Sequence, residues 1–132
     1  MVTFQREISM FDALILMFAL QVKHYYADFV IQTYVQTVRK GIYRDPVGIS
    51  HSLDHVICSL IALLIASFFV AISMPLALLL CLAEGILHYH IDWTKVHFGI
   101  KDNTKPLFWN QFGMDQLAHQ LTYLGMIYLM LA

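Results

Sequence analysis

The stretch HYYADFVIQ, residues 24–32, decides the fold because it places polar side chains at the end of a long apolar segment. In a helix, His24, Asp28 and Gln32 follow an i, i+4, i+8 spacing and project from one face. The residues before them, from Ile8 to Val22, are almost entirely apolar. Ionisable side chains are costly inside a bilayer and by default indicate a functional site there. The stretch therefore predicts a polar site within a membrane-embedded helix.

The composition indicates an integral membrane protein. The chain has 132 residues, of which 59% are hydrophobic and 13% are charged, and its mean hydropathy is +0.64. Soluble domains carry about 25% charged residues, so a soluble fold is disfavoured. A formal net charge of −1 gives no indication of a nucleic-acid partner.

The distribution of apolar segments predicts an all-α polytopic membrane protein. We expect four transmembrane helices in an antiparallel bundle that forms a single membrane domain over residues 1–132. The predicted spans cover about 9–38, 51–72, 75–97 and 112–131. The first span is longer than the roughly 20 residues that cross the hydrocarbon core, so its second half is expected to tilt or to emerge at the membrane surface.

Polar residues lie at the C-terminal ends of spans one and three and at the N-terminal ends of spans two and four. An antiparallel bundle brings all four of these ends to the same side of the membrane, where their side chains can converge. Imidazole and carboxylate groups in such a cluster favour a divalent metal site. The predicted ligands are His24, Asp28, His51, His55, His88, Asp92, Asp115 and His119.

The predicted cofactor is a divalent transition metal, with zinc as the first expectation and iron or manganese as alternatives. One tetrahedral ion needs only four ligands, so the eight candidates leave two interpretations open. The site holds two ions, or some of the carboxylates orient the histidines instead of binding the ion. Glu84 lies one helical turn before His88 and is a candidate general base. Lys95 lies beyond Asp92 and is a candidate contact for an anionic headgroup. An ion-free polar network and a proton or ion path are the alternatives to a metal site.

Charge predicts the orientation in the membrane. Seven of the eight Lys and Arg residues fall on the polar side, and only Arg6 falls on the other. By the positive-inside rule the polar site faces the cytoplasm, and both termini are expected on the opposite side.

Four motifs carry a resemblance to a known family. They are His24-x3-Asp28-Phe29-x2-Gln32, His51-x3-His55, His88-x3-Asp92-x2-Lys95 and Asp115-Gln116-x2-His119. Together they resemble an uncharacterised family of small phage and bacterial multi-span membrane proteins, known as a domain of unknown function. The chain is more loosely similar to membrane-bound metal-dependent hydrolases. The resemblance implies a shared polar site, a bacterial inner membrane and, through the second family, hydrolysis.

These observations predict a metal-dependent hydrolase that acts on a lipid or lipid-linked substrate at the cytoplasmic leaflet. Membrane lipids are the expected partners, and a homodimer or a complex with a host membrane protein is also open. A second enzyme class is an iron-dependent membrane oxygenase. The non-enzymatic alternatives are a phage or bacterial membrane interaction protein and a small ion or proton conductor.

Overall fold

The structure, a computed structural model, describes residues 9–132, and this part of the chain is helical without strands. The helices are α1 (Met10–Tyr25), a π-helical turn directly after it (Tyr26–Ile31), α2 (Tyr34–Arg39), α3 (Pro46–Ala66), α4 (Met74–Phe98) and α5 (Pro106–Leu131). The predicted all-α class is confirmed.

The four long helices form a closed ring. Helix α3 packs against α1 and α4, and α5 packs against α4 and α1. His24 near the end of α1 contacts Gln116 in the first half of α5, and Lys23 beside it contacts His55 in the first half of α3. Neighbouring helices in the ring therefore run in opposite directions, as an up-and-down bundle requires. The short α2 lies against α3.

One end of the ring is an apolar core, and the outer surface is apolar as well. Leu16, Leu63 and Ala77 are fully buried in this core. Large apolar side chains such as Phe18 and Leu79 are more than half exposed on the outside. A soluble monomer rarely exposes so much apolar surface, so the exterior suits lipid rather than water.

Among the described residues, three helical stretches are long and apolar enough to cross a membrane, namely Met10–Ile31, Pro46–Ala66 and Met74–Phe98. The prediction of four spans is therefore confirmed for three helices only. Helix α5 contains the predicted span 112–131, but its N-terminal half is too polar to qualify. The polar side chains responsible, all buried or half-buried within the bundle, are Gln111, Asp115, Gln116, His119 and Gln120.

The first predicted span, 9–38, is interrupted rather than continuous. Gln32 adopts an extended conformation with φ −60° and ψ 124°, and α2 begins anew after it. The restart is encoded by a capping box, in which the Gln36 N–H donates to Thr33 Oγ1 at 3.2 Å and the Thr33 N–H donates to Gln36 Oε1 at 2.8 Å. These bonds satisfy backbone N–H groups at the new N-terminus, so they lower the cost of interrupting the helix there.

Two helices begin earlier than predicted because a proline occupies their first turn. Helix α3 begins at Pro46, with Asp45 as the N-cap residue whose side chain accepts from the Val47 N–H at 2.9 Å. Helix α5 begins at Pro106. Proline is favoured at this position because its missing N–H would have no helical partner there.

The apolar core predicts a contrast between two adjacent leucines. Leu63→Ala should lower the free energy of unfolding by about 2–5 kcal/mol, because it leaves a cavity in the packed core. Leu64 is 53% exposed on the outer face, so Leu64→Ala should change it by only about 0.5 kcal/mol. Thermal or denaturant unfolding of the detergent-solubilised protein measures both, and equal losses would contradict this core.

Candidate metal centre

Asp28 lies at the centre of a group of imidazoles. The π-helical turn carries it at the end of the first membrane helix, and such turns occur often at functional sites. Asp28 Oδ1 is 2.9 Å from His55 Nε2 and 3.1 Å from His51 Nε2, and it is 3.9 Å from His88 Nε2. Its other oxygen, Oδ2, is 3.3 Å from His24 Nε2. Three of the four ring helices thus direct a side chain to one carboxylate.

These separations match the coordination shell of a metal ion. Asp28, His51, His55 and His88 each offer one ligand atom, and all four atoms lie within 4.8 Å of one another. Ligands bound about 2.1 Å from a tetrahedral ion lie about 3.4 Å apart. The Nε2 atoms of His51 and His88 are 3.3 Å apart, and the contacts of Asp28 Oδ1 fall on either side of this value. The four residues form what we call the Asp28 centre.

A second group lies beside the Asp28 centre and shares His88 with it. His88, Asp92 and His119 also place ligand atoms within 4.8 Å of one another. Asp92 Oδ2 is 3.2 Å from His88 Nε2, and Asp92 Oδ1 is 3.6 Å from His119 Nε2. His119 Nε2 is also 3.6 Å from Asp115 Oδ1, and these two buried atoms have no hydrogen-bond partner within residues 9–132.

All eight predicted ligands therefore come together at one end of the bundle. The imidazoles form a continuous set, with ring centroids 3.6 Å apart for His55 and His88 and 4.3 Å apart for His88 and His119. His24 lies outside both ligand groups. Its Nδ1 is 2.8 Å from the Tyr123 hydroxyl, and its Nε2 is 3.0 Å from Gln116 Oε1.

Two lysines belong to the site, although the sequence pattern indicates for them only a role in membrane orientation. Lys23 and Lys40 are 4% and 7% exposed. Lys23 pairs with Glu84, and Lys40 Nζ is 2.9 Å from Asp92 Oδ2. A lysine next to His24 inside an apolar segment is a signal that could have revealed Lys23.

The position of Lys40 depends on tertiary structure alone. It follows α2, and its backbone passes so close to Gly48 in α3 that a Cβ there would lie 2.9 Å from the Lys40 Cα. Glycine at this point lets the loop bring the ammonium group down to Asp92. No local sequence pattern predicts that approach.

Glu84 and Lys95 lie on opposite sides of the cluster. Glu84 accepts hydrogen bonds from Lys23 and from the Ser59 hydroxyl, and its Oε1 is 3.9 Å from His55 Nδ1. Lys23 Nζ lies closer to the same ring nitrogen, at 3.2 Å. The geometry therefore favours a role for Glu84 in holding the Lys23 ammonium group against His55, and its general-base role stays a prediction. Lys95 Nζ is 3.7 Å from Asp115 Oδ2, and its side chain is 25% exposed.

The buried pair of Lys23 and Glu84 predicts a stability test. Glu84→Ala should lower the free energy of unfolding by about 3–5 kcal/mol, because it leaves the ammonium group buried without a counter-charge. The double variant Lys23→Met/Glu84→Leu should recover most of this loss, since it buries no unpaired charge. Denaturant unfolding in detergent compares the two, and a double variant as unstable as the single one would contradict the ion pair.

Comparison with known proteins places the chain in a family. The family model described as "Protein of unknown function (DUF3307)" matches residues 16–132, a range that contains all eight candidate ligands. No curated protein and no solved structure matches the chain. The predicted resemblance to a family of unknown function is confirmed, and the chain belongs to the DUF3307 family.

Proposed function

We propose that this protein binds one divalent metal ion at the Asp28 centre and uses it for hydrolysis within the membrane. The observation that carries the proposal is the set of four ligand atoms from Asp28, His51, His55 and His88 within 4.8 Å of one another. These residues come from three separate helices, so their convergence is not a by-product of helical spacing.

The charges favour one ion rather than two. Asp92 is neutralised by Lys40, and Asp115 lies beside Lys95. The carboxylate of Asp28, by contrast, forms ion pairs only with imidazoles in the described part of the chain. A buried charge needs a compensating partner. A divalent cation supplies it at Asp28, whereas the second group already has its lysines.

The donor set is three imidazoles and one carboxylate, which suits zinc, iron or manganese. Four protein ligands close a tetrahedral zinc site. A five-coordinate zinc ion, or a six-coordinate iron or manganese ion, keeps a position for water. An ion there supplies a hydroxide nucleophile near neutral pH.

Asp92 would be placed to accept a proton from a water molecule held by such an ion. Its Oδ2 is 3.2 Å from His88 Nε2 and 3.3 Å from His51 Nε2, so it borders the Asp28 centre on the side of the second group. His119 lies next to it, with Asp92 Oδ1 and Asp115 Oδ1 each 3.6 Å from its Nε2. Asp92 therefore supports the general-base role better than Glu84 does.

The position of the centre supports a lipid or lipid-linked substrate. His88 lies 13 residues after Pro75 in α4, which is about 20 Å along a helix and about 10 Å below the far surface of the hydrocarbon core. Helix α5, with 26 residues, is about 39 Å long and packs beside α4 and α1. Basic residues Arg44, Lys101 and Lys105 are exposed at the polar end, which supports a cytoplasmic orientation, in our proposal in a bacterial inner membrane.

An ion-free network is the second candidate, and one observation favours it. The 2.9 and 3.1 Å contacts of Asp28 with His55 and His51 are themselves hydrogen-bond distances, and Gln32 Nε2 lies 2.7 Å from His51 Nε2. Such a network would hold the four helices together without a metal. Metal content separates the two candidates.

Protein purified without chelator should contain about one transition-metal ion per chain, as measured by elemental analysis. Asp28→Asn and His55→Ala should remove it because each deletes a ligand of the Asp28 centre. His97→Ala is the matched control, since His97 is exposed and its Nδ1 lies 3.2 Å from the Gly41 carbonyl oxygen, away from the Asp28 centre.

Asp115→Asn should keep the ion, because Asp115 belongs to the neighbouring group. Two ions per chain, falling to one in this variant, would contradict the single-ion proposal. Metal-free protein whose thermal stability is unchanged by EDTA would support the ion-free network instead.

Hydrolysis is tested in proteoliposomes that contain the metal-loaded protein and phospholipid. Release of phosphate esters or fatty acid should stop with EDTA. Asp92→Asn should lower the rate by about 10²–10⁴-fold, the range for loss of a general base, while the bound metal is retained. His97→Ala should leave the rate unchanged. Metal-loaded protein that releases no product from bacterial lipids would contradict the hydrolase and leave a metal-binding protein.

A further inference from the structure

A lateral cleft connects the surroundings of the bundle with the polar cluster. The cavity between α4 and α5 has a volume of about 570 Å³ and is lined largely by apolar side chains such as Leu87, Ile91 and Met114. Asp115, which belongs to the polar cluster, also lines it. Two further cavities of about 430 and 510 Å³ lie along α1 and α3 and along α3 and α4, and none of the eight candidate ligands lines them.

Lys95 stands where this cleft meets a smaller pocket that contains two lysines. This smaller pocket has a volume of about 250 Å³ and is formed by α2, the end of α4 and the start of α5. Both Lys95 and Lys101 line it. Lys95 also lines the cleft and lies over the Phe112 ring, 4.8 Å from its centroid. One partly exposed ammonium group is therefore shared between an apolar slot and a basic pocket.

Lys95 differs from the other two lysines of the cluster in being accessible. Its side chain is 25% exposed, whereas those of Lys23 and Lys40 are 3% and 9% exposed. Its separation from Asp115 Oδ2 is 3.7 Å, which is longer than the 2.7–2.9 Å of a charge-assisted hydrogen bond. Lys95 can therefore contact a second anion while it stays beside Asp115.

We propose that the α4–α5 cleft is the binding site of an anionic phospholipid whose acyl chain lies along α4 and α5 and whose phosphate contacts Lys95 and Lys101. Charge complementarity favours this occupant, since the cleft is apolar along its length and basic at its polar end. The surroundings favour it too, because Leu87 and Met114 are 50% and 62% exposed on the lipid-facing surface. This inference rests on the proposed function, for which it supplies the substrate class and a binding site that reaches Asp115 at the edge of the polar cluster.

Native mass spectrometry of the detergent-solubilised protein tests the site with phosphatidylglycerol and phosphatidylcholine of identical acyl chains. The protein should prefer phosphatidylglycerol, and Lys95→Gln should weaken that binding by about fivefold, the effect of one basic residue near a lipid headgroup. Lys105→Gln is the matched control and should change nothing, because Lys105 is 62% exposed and pairs with Asp102.

Filling the cleft tests the acyl-chain slot separately from the charge. Ala118 lines the cleft and is half-buried, so Ala118→Trp should abolish binding of both lipids. Ala118→Leu, which adds less volume, should weaken both if the tryptophan variant does not fold. An excess of inorganic phosphate should not displace the lipid, since phosphate lacks an acyl chain.

Three results would overturn the proposal: equal effects of the Lys95 and Lys105 substitutions, unchanged lipid binding when Ala118 is enlarged, or displacement by inorganic phosphate. Metal content measured on the same samples keeps the two proposals apart. Metal-loaded protein without a preference for phosphatidylglycerol overturns only the lipid site. Metal-free protein that keeps this preference, and loses it in Lys95→Gln, supports the lipid site and overturns the hydrolase.

Discussion

A carboxylate inside an apolar bundle must have a compensating positive charge or a proton close to it, because neither water nor lipid can stabilise it there. Glu84, Asp92 and Asp115 meet this requirement with Lys23, Lys40 and Lys95. Each lysine lies in a different helix or loop from the carboxylate that it neutralises. The charges of the polar end thus link α1, the α2–α3 loop, α4 and α5 into one unit. The same requirement singles out Asp28, which faces imidazoles.

Local irregularities of the backbone place these groups. A regular helix through residues 24–38 would carry the chain straight on through the membrane. Instead, the π-helical turn Tyr26–Ile31 presents Asp28 to three other helices, and the break at Gln32 lets α2 turn back onto α3. The turn is accompanied by the capping box of Thr33 and Gln36, whose bonds stabilise the new helix start. Without this interruption, Lys40 could not return to the bundle and reach Asp92.

The molecule therefore has two ends with different tasks. At the apolar end, side chains such as Leu63 and Ala77 pack the helices together, and none of the eight candidate ligands lies there. At the polar end, packing is replaced by ion pairs and imidazole contacts, which hold the same helices while leaving ligand atoms near one point. Lys95 lies at the border between the cluster and the α4–α5 cleft, where charge and apolar surface meet.

Sequence patterns alone predicted the helical class, three helices that are long and apolar enough to cross a membrane, and the convergence of eight polar residues, because helical period and antiparallel connections place those residues at one end. His24, Asp28, His55 and His119 could all be identified in this way. Only the tertiary structure decided which of them share a ligand group, since that depends on distances of a few ångströms between helices. The tertiary structure also places Glu84 near Nδ1 of His55, the ring nitrogen on the side away from Asp28. It makes Lys23 and Lys40 internal counter-charges, and it brings the loop that carries Lys40 against Gly48. These contacts join residues that are distant in the chain, so a local sequence pattern cannot predict them.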